Sequence, residues 1–225
     1  MIKAIAFDLD DTLLDTTGIL VPKASAHAFQ ILINNGLRLT LAECQERRLQ
    51  MIQTMSHKEV FRILADEFGN QQTVAAVPAA IAAFYEPQLP DTLPLLPGAI
   101  ENIKELKDKY KLYIVTAGTE SAQRSKAKSL GIEPYFEHIY VVNSLDKKRK
   151  EDAFLDIIKK NNLKNHELLC VGNSLSSEIF DAVKIGAIAC YFEFGEERSV
   201  FPTDPKDQPH FRVRHHGELI AACKL

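Results

Sequence analysis

Asp8, Asp10 and Asp11 put three carboxylates within four positions, directly after residues 2–7, which are apolar at nearly every position. So much negative charge in one place is costly unless a cation offsets it, and a hard, oxygen-seeking ion such as Mg²⁺ is the natural counter-charge. Further polar groups follow later apolar runs: Thr116 after 112–115, and Asn173, Ser174 and Glu178 after 168–171. Between them lies the basic run Lys147, Lys148, Arg149, Lys150. Carboxylates, a hydroxyl, a lysine and a further acid together suit phosphoryl transfer, which needs a nucleophile, a metal on the phosphate oxygens and donors around the transferring group. Asp8 as nucleophile would form an aspartyl-phosphate. Asp10, two residues on, would protonate the leaving oxygen and then activate water; a two-residue offset can aim two carboxylates at one centre, though the alternation does not itself fix those roles. Each feature also has a plainer reading. Acids after a strand can form a turn, Thr116 can cap a helix, and a basic run can be a solvated surface.

The elements that must position these groups are legible from periodicity. Residues 2–7 read as a strand buried on both faces, and a strand that ends in acids delivers them to the carboxyl edge of a sheet, where open α/β folds bind ligands. From 23 to 85 the apolar spacing is helical. Ala24, Ala28, Ile31 and Leu32 mark one helix, Leu41 to Ile52 a second, Val60 to Phe68 a third, and 73–85 an alanine-rich fourth. Pro87, Pro90, Pro94 and Pro97 crowd into eleven positions and read as a linker. Beyond them helix and strand alternate: helix 99–110, strand 112–115, helix 122–130, strand 139–142, helix 151–161, strand 168–171, helix 176–185 and strand 188–192. After a loop, 211–213 reads as an edge strand and 218–223 as a last helix. This pattern predicts an α/β fold, a doubly wound parallel sheet, interrupted by a small α-helical domain. The expected division is 1–15 with 94–225 for the α/β core, and 16–93 for the helical insertion.

Bulk properties exclude some classes. The chain has 225 residues, 46% of them hydrophobic and 25% charged, which is ordinary for a globular protein. A net charge of −3 gives no basic footprint for nucleic acid. Cys44, Cys170, Cys190 and Cys223 are scattered with no Cys-x-x-Cys pair, and Cys170 and Cys190 fit buried strand thiols. No apolar run reaches membrane-spanning length and Met1 leads straight into the first strand, so the expectation is a cytoplasmic protein with no membrane partner. His27, His57 and His138 lack metal-ligand spacing, and His215-His216 reads as a surface pair. Arg47-Arg48 and His57-Lys58 read as solvated, Phe61, Phe68 and Phe84 as core of the helical insertion. Ser174 lacks the Gly-x-Ser-x-Gly setting of a serine hydrolase.

Taken together, these motifs resemble the haloacid dehalogenase superfamily in its phosphatase branch. Asp8-Leu9-Asp10-Asp11-Thr12 is similar to that family's Asp-x-Asp-x-Thr motif, Thr116 to its second motif, a lysine within 147–150 to its third, and Gly172-Asn173 through Glu178 to its fourth, Gly-Asp-x-x-x-x-Asp. The resemblance covers Asp8 to Glu178 and makes 16–93 similar to the family's small cap, which would close over the site and select the substrate. It implies a Rossmann-like core and assigns roles. Asp8 would be nucleophile and Mg²⁺ ligand, and Asp10 general acid/base with its carbonyl on the metal. Thr116 and the amides of Ala117 and Gly118 would hold phosphate oxygens, and Asn173 and Glu178 would complete the metal site. A Lys-Pro-x-Pro-x-x-Phe pattern anchored on Phe154 selects Lys148 as the active lysine, with Lys150 second.

Asn173 and Glu178 depart from the family's two Asp residues. The first removes a charge and the second lengthens an arm, which implies weaker metal binding. The expected function is a Mg²⁺-dependent phosphatase for a small phosphorylated metabolite. A phosphomutase on the same core, or a binding or regulatory protein on a degenerate phosphatase fold, are the alternatives. The intact Asp10 argues against a dehalogenase. Substrate identity and oligomeric state are not encoded in these motifs.

Overall fold

The computed structural model describes residues 1–143, 149–196 and 199–225. They divide into two compact units, Met1–Thr16 with Leu89–Leu225, and Thr17–Gln88. The boundaries differ slightly from the predicted ones: the proline-rich linker belongs to the larger unit from Leu89. Two backbone bonds tie it there, Leu93 N–H to the Ser129 carbonyl and Leu96 N–H to the Leu13 carbonyl, each 2.8 Å.

The larger unit is built on six parallel strands: β1 (Ala4–Phe7), β2 (Lys111–Ala117), β3 (His138–Val142), β4 (Leu168–Gly172), β5 (Ile188–Phe192) and β6 (Phe211–Val213). Their order is β3-β2-β1-β4-β5-β6. β1 therefore lies between β2 and β4, where the winding reverses, and ligand crevices of open α/β sheets form outside the carboxyl ends at that point. All four residues of β1 are buried, as its unbroken apolar run requires. The register pairs Phe7 with Ile114 on one side and Val171 on the other. Asp8 thus emerges beside the ends of both neighbours, and its N–H donates to the Val171 carbonyl at 2.8 Å.

The four-helix insertion comprises α1 (Val21–Asn34), α2 (Leu41–Met51), α3 (His57–Phe68) and α4 (Gln71–Tyr85). Capping boxes at Thr40/Glu43 and Ser56/Glu59 start α2 and α3. Phe61 and Phe84 are buried in its core, with Phe68 packed against it. Arg48 and His57 are not solvated as predicted: they are 6% and 5% exposed, with Arg48 Nη1 3.0 Å from His57 Nε2. Arg48 Nε also donates to Gln45, whose amide donates to Ser25 Oγ. Such a chain of polar contacts satisfies groups that burial would otherwise penalise.

The remaining helices flank the sheet: α5 (Ala99–Leu106), α6 (Glu120–Ser129), α7 (Lys150–Lys160), α8 (Phe180–Lys184) and α9 (His216–Cys223). Two predicted helices are shorter. α5 ends at Leu106 in a turn that leaves Tyr110 outside the helix. The run 176–185 is broken at Ser177, where a wide turn over Leu175–Ile179 precedes α8. All four cysteines are free and buried. Among the described residues, no helix is long and apolar enough to cross a membrane.

Candidate active site

The carboxyl ends of β2, β1 and β4 bring Thr116, Asp8, Asp10, Asn173 and Glu178 to one edge, all within the larger unit. After Asp8 the chain folds into a tight loop. Asp11 takes a left-handed φ of 52°, which Asp tolerates better than most residues, and its N–H donates to the Leu14 carbonyl at 2.7 Å.

Among the described residues, Lys150, the first residue of α7, is the cation at Asp8. Its Nζ lies 2.9 Å from Asp8 Oδ1 and 2.7 Å from Glu178 Oε2, with only 4% of the residue exposed. Lys150 and Phe154 are one helical turn apart on the buried face of α7, which is why the side chain points inward. Lys148, the other candidate, lies outside the described residues. Arg149 is engaged elsewhere, through Nε and Nη2 on Asp181 Oδ1 at 2.9 and 2.6 Å.

Glu178 has both oxygens in use, Oε2 on Lys150 and Oε1 taking the Ser174 N–H at 2.6 Å. Its side chain fills the space over Gly172, where a Cβ would collide with it. Asn173 donates Nδ2 to the Phe194 carbonyl at 3.1 Å, which leaves Oδ1 as its acceptor face. An Asp at 173 could not make that bond, so the departure from the family's motif has a local structural partner.

Electrostatically, Asp8 and Glu178 share one lysine. Burial pushes the Asp8 carboxyl up to about 7, with the charges of Glu178 and Asp10 adding to the rise and Lys150 opposing it. Burial alone would pull Lys150 down, but Asp8 and Glu178 outweigh it and hold the ammonium above its usual value. The surplus negative charge is what a bound cation would offset. Among the described residues, no three His, Cys, Asp or Glu side chains gather as a cage. The Asn173 amide oxygen and the Asp10 carbonyl are oxygen donors of the kind that hard cations accept.

Asp10 carries its own partners. Lys126 Nζ lies 2.6 Å from Oδ1, Thr16 Oγ1 donates to the same oxygen, and Gln123 Nε2 donates to Oδ2 at 3.1 Å. Burial would raise this carboxyl, but Lys126, with help from Thr16 and Gln123, holds it below the usual range. Gln123 Oε1 also accepts the Thr116 hydroxyl at 3.2 Å. Thr116 is not a helix cap: Thr119 caps α6, accepting the Ala122 N–H.

One expected phosphate donor is turned away. The Gly118 N–H donates to the Val142 carbonyl at 3.0 Å, because the ladder of β2 with β3 continues past Ala117. Gly118 instead makes room, at φ +150°, where a Cβ would meet Gln123 Nε2 at 2.6 Å. His216 is a second correction. It is 1% exposed rather than on the surface, while its neighbour His215 is exposed. Its Nε2 donates to the Thr12 carbonyl at 2.7 Å, and its own carbonyl takes Asn102 Nδ2 at 2.7 Å. Motif reading alone misses Gln123 and Lys126. Their signal is a buried helical stripe, 123, 126, 127 and 130, with polar residues at two positions.

Known proteins resemble this chain in sequence and in fold. A family model for haloacid dehalogenase-like hydrolases matches residues 2–179. Glyceraldehyde 3-phosphate phosphatase of Methanopyrus kandleri is 27% identical over 98% of this chain and 96% of its own. The Pyrococcus abyssi protein of the same name is 29% identical over 87% of this chain and 83% of its own. In fold, a predicted phosphoglycolate phosphatase of Haemophilus somnus superposes with a TM-score of 0.75 at 18% identity, over 98% of this chain and 97% of its own. Magnesium-bound YfnB of Bacillus subtilis does so with a TM-score of 0.69 at 22% identity, over 98% of this chain and 97% of its own. With a model match spanning most of its length, this chain belongs to the haloacid dehalogenase-like hydrolases.

Proposed function

We propose that the protein is a Mg²⁺-dependent phosphatase that hydrolyses a small phosphorylated metabolite through an aspartyl-phosphate. The observation that carries this reading is the pairing of Asp8 and Asp10 with separate lysines, Lys150 and Lys126, on one loop at the sheet's switch point. Asp8 Oδ would attack phosphorus while Asp10, having taken up a proton as substrate binds, delivers that proton to the departing oxygen. Asp10 would then take a proton from the water that cleaves the acyl phosphate, returning Asp8 to its starting form. Lys150 would hold Asp8 and an incoming phosphate oxygen together, and the Ala117 N–H, with the Thr116 hydroxyl once it turns from Gln123 Oε1, would donate to other phosphate oxygens. Mg²⁺, held by Asp8, the Asp10 carbonyl and Asn173, with Glu178 acting through water, would neutralise phosphate charge.

Glyceraldehyde 3-phosphate is the first compound to test, because the archaeal relatives are named for it. The experiment is phosphate release from p-nitrophenyl phosphate and a panel of phosphorylated metabolites, with Mg²⁺ and with EDTA, for wild type and Asp8→Asn. Metal-dependent release that vanishes in the variant supports the reading. Substantial activity in Asp8→Asn removes the nucleophile, and an isomerised phosphate ester in place of free phosphate would favour a phosphomutase.

A further inference from the structure

We propose that Lys126 and Gln123, one turn apart on α6, are positioning residues that hold the Asp10 carboxylate aligned with Thr116 for proton transfer to the leaving oxygen. The assignment rests on the phosphatase reading, but its geometry stands by itself. Three donors from two segments converge on one carboxylate: Lys126 Nζ and Thr16 Oγ1 on Oδ1, and Gln123 Nε2 on Oδ2. A carboxylate bound at both oxygens from different directions has one orientation, where a free one has several. The same Gln123 amide also bonds the Thr116 hydroxyl and the Ala117 carbonyl. One side chain thus ties the group expected to hold phosphate to the group expected to protonate its ester oxygen.

Burial adds a second argument. Gln123 and Lys126 are 4% and 7% exposed. Removing an ammonium from water is costly, and an apolar residue facing α6's neighbours would give stability more cheaply. α6 otherwise buries Ala127, the kind of residue expected on that face. Gly118 leaves the Gln123 side chain the volume a Cβ would take. The fold therefore gives up apolar contact to place these groups around Asp10. Small errors of placement at a reacting centre cost large factors in rate, which makes the orientation of Asp10 the quantity at stake.

The test separates orientation from general damage by the chemistry of the leaving group. Nitrophenolate leaves without a proton, whereas an alkoxide needs one, and kcat/KM covers only steps through that departure. For Lys126→Met, kcat/KM on the alkyl phosphate that wild type hydrolyses fastest should fall about 10- to 100-fold, and on p-nitrophenyl phosphate less than about threefold. Lys126→Arg should recover part of the loss. An equal fall on both substrates, or none on either, overturns the proposal. If Lys126→Met does not fold, Lys126→Gln carries the same comparison. Crystal structures of wild type and the folded variant give an answer independent of turnover. An Asp10 carboxylate that leaves its place supports the positioning role, and one that stays overturns it. Should wild type release no phosphate, the phosphatase reading fails while the structures still decide the role of Lys126.

Discussion

The imidazole of His216 donates through Nε2 to the carbonyl of Thr12 at 2.7 Å, 204 residues earlier in the chain. The last helix thereby fastens the acidic loop at its far end. His216→Ala leaves the Thr12 carbonyl buried without that donor and should cost about 1–3 kcal/mol in urea unfolding. Burial holds the His216 pKa below its ordinary 6.5, so the folded protein keeps it neutral while the unfolded chain protonates. Its effect is absent at high pH and grows as pH falls through about 6.5, where the unfolded state gains protons that the folded state refuses. His216→Gln keeps a donor but does not titrate. The stability lost by wild type between about pH 8 and pH 5 should shrink in that variant; an identical loss in both would remove His216 from the pH response.

Lys150 stands between Asp8 and Glu178 with 4% exposure. Lys150→Met leaves two buried carboxylates facing one another and should cost about 3–5 kcal/mol in metal-free protein. Adding Asp8→Asn removes one of those charges, so the double variant should be more stable than Lys150→Met alone. Additive losses would show that the two groups do not interact.

Asn173 is held by its bond to the Phe194 carbonyl. Asn173→Asp puts a carboxylate oxygen where the amide donated, and should lower metal-free stability by about 1–2 kcal/mol. The added charge should also tighten Mg²⁺ binding in calorimetric titration. Unchanged stability and affinity would make position 173 neutral to both.

Gly118→Ala would place a methyl 2.6 Å from Gln123 Nε2 at a φ of +150°. The expected loss is about 1–3 kcal/mol by thermal or chemical unfolding, with turnover reduced in the folded fraction. A fully active, equally stable variant would show that Gln123 has room to move.

Several of these features are local enough to be legible in the amino-acid order. Residues 4–7 are apolar without interruption and their burial is complete, so the strand that delivers Asp8 shows as a local pattern. Helix caps at Thr40 and Ser56 are likewise local, since each involves residues three apart. The contact of Lys150 with Asp8 is not. It depends on the phase of α7, which begins at Lys150 and puts that residue on the face of Phe154. Nor does the pair His215-His216 reveal which ring is buried, because the deciding partner is Thr12.

The sequence alone determined the alternation of strands and helices, the helical insertion and the delivery of acids to strand ends, because burial runs and helical spacing act over a few residues. Only the tertiary structure decided which groups touch those acids. Lys150 on Asp8, Lys126 and Gln123 on Asp10, Val142 on the Gly118 amide and His216 on Thr12 join residues from separate elements. Such pairings come from how the sheet orders its strands and how each helix is rotated against it, which no local spacing encodes.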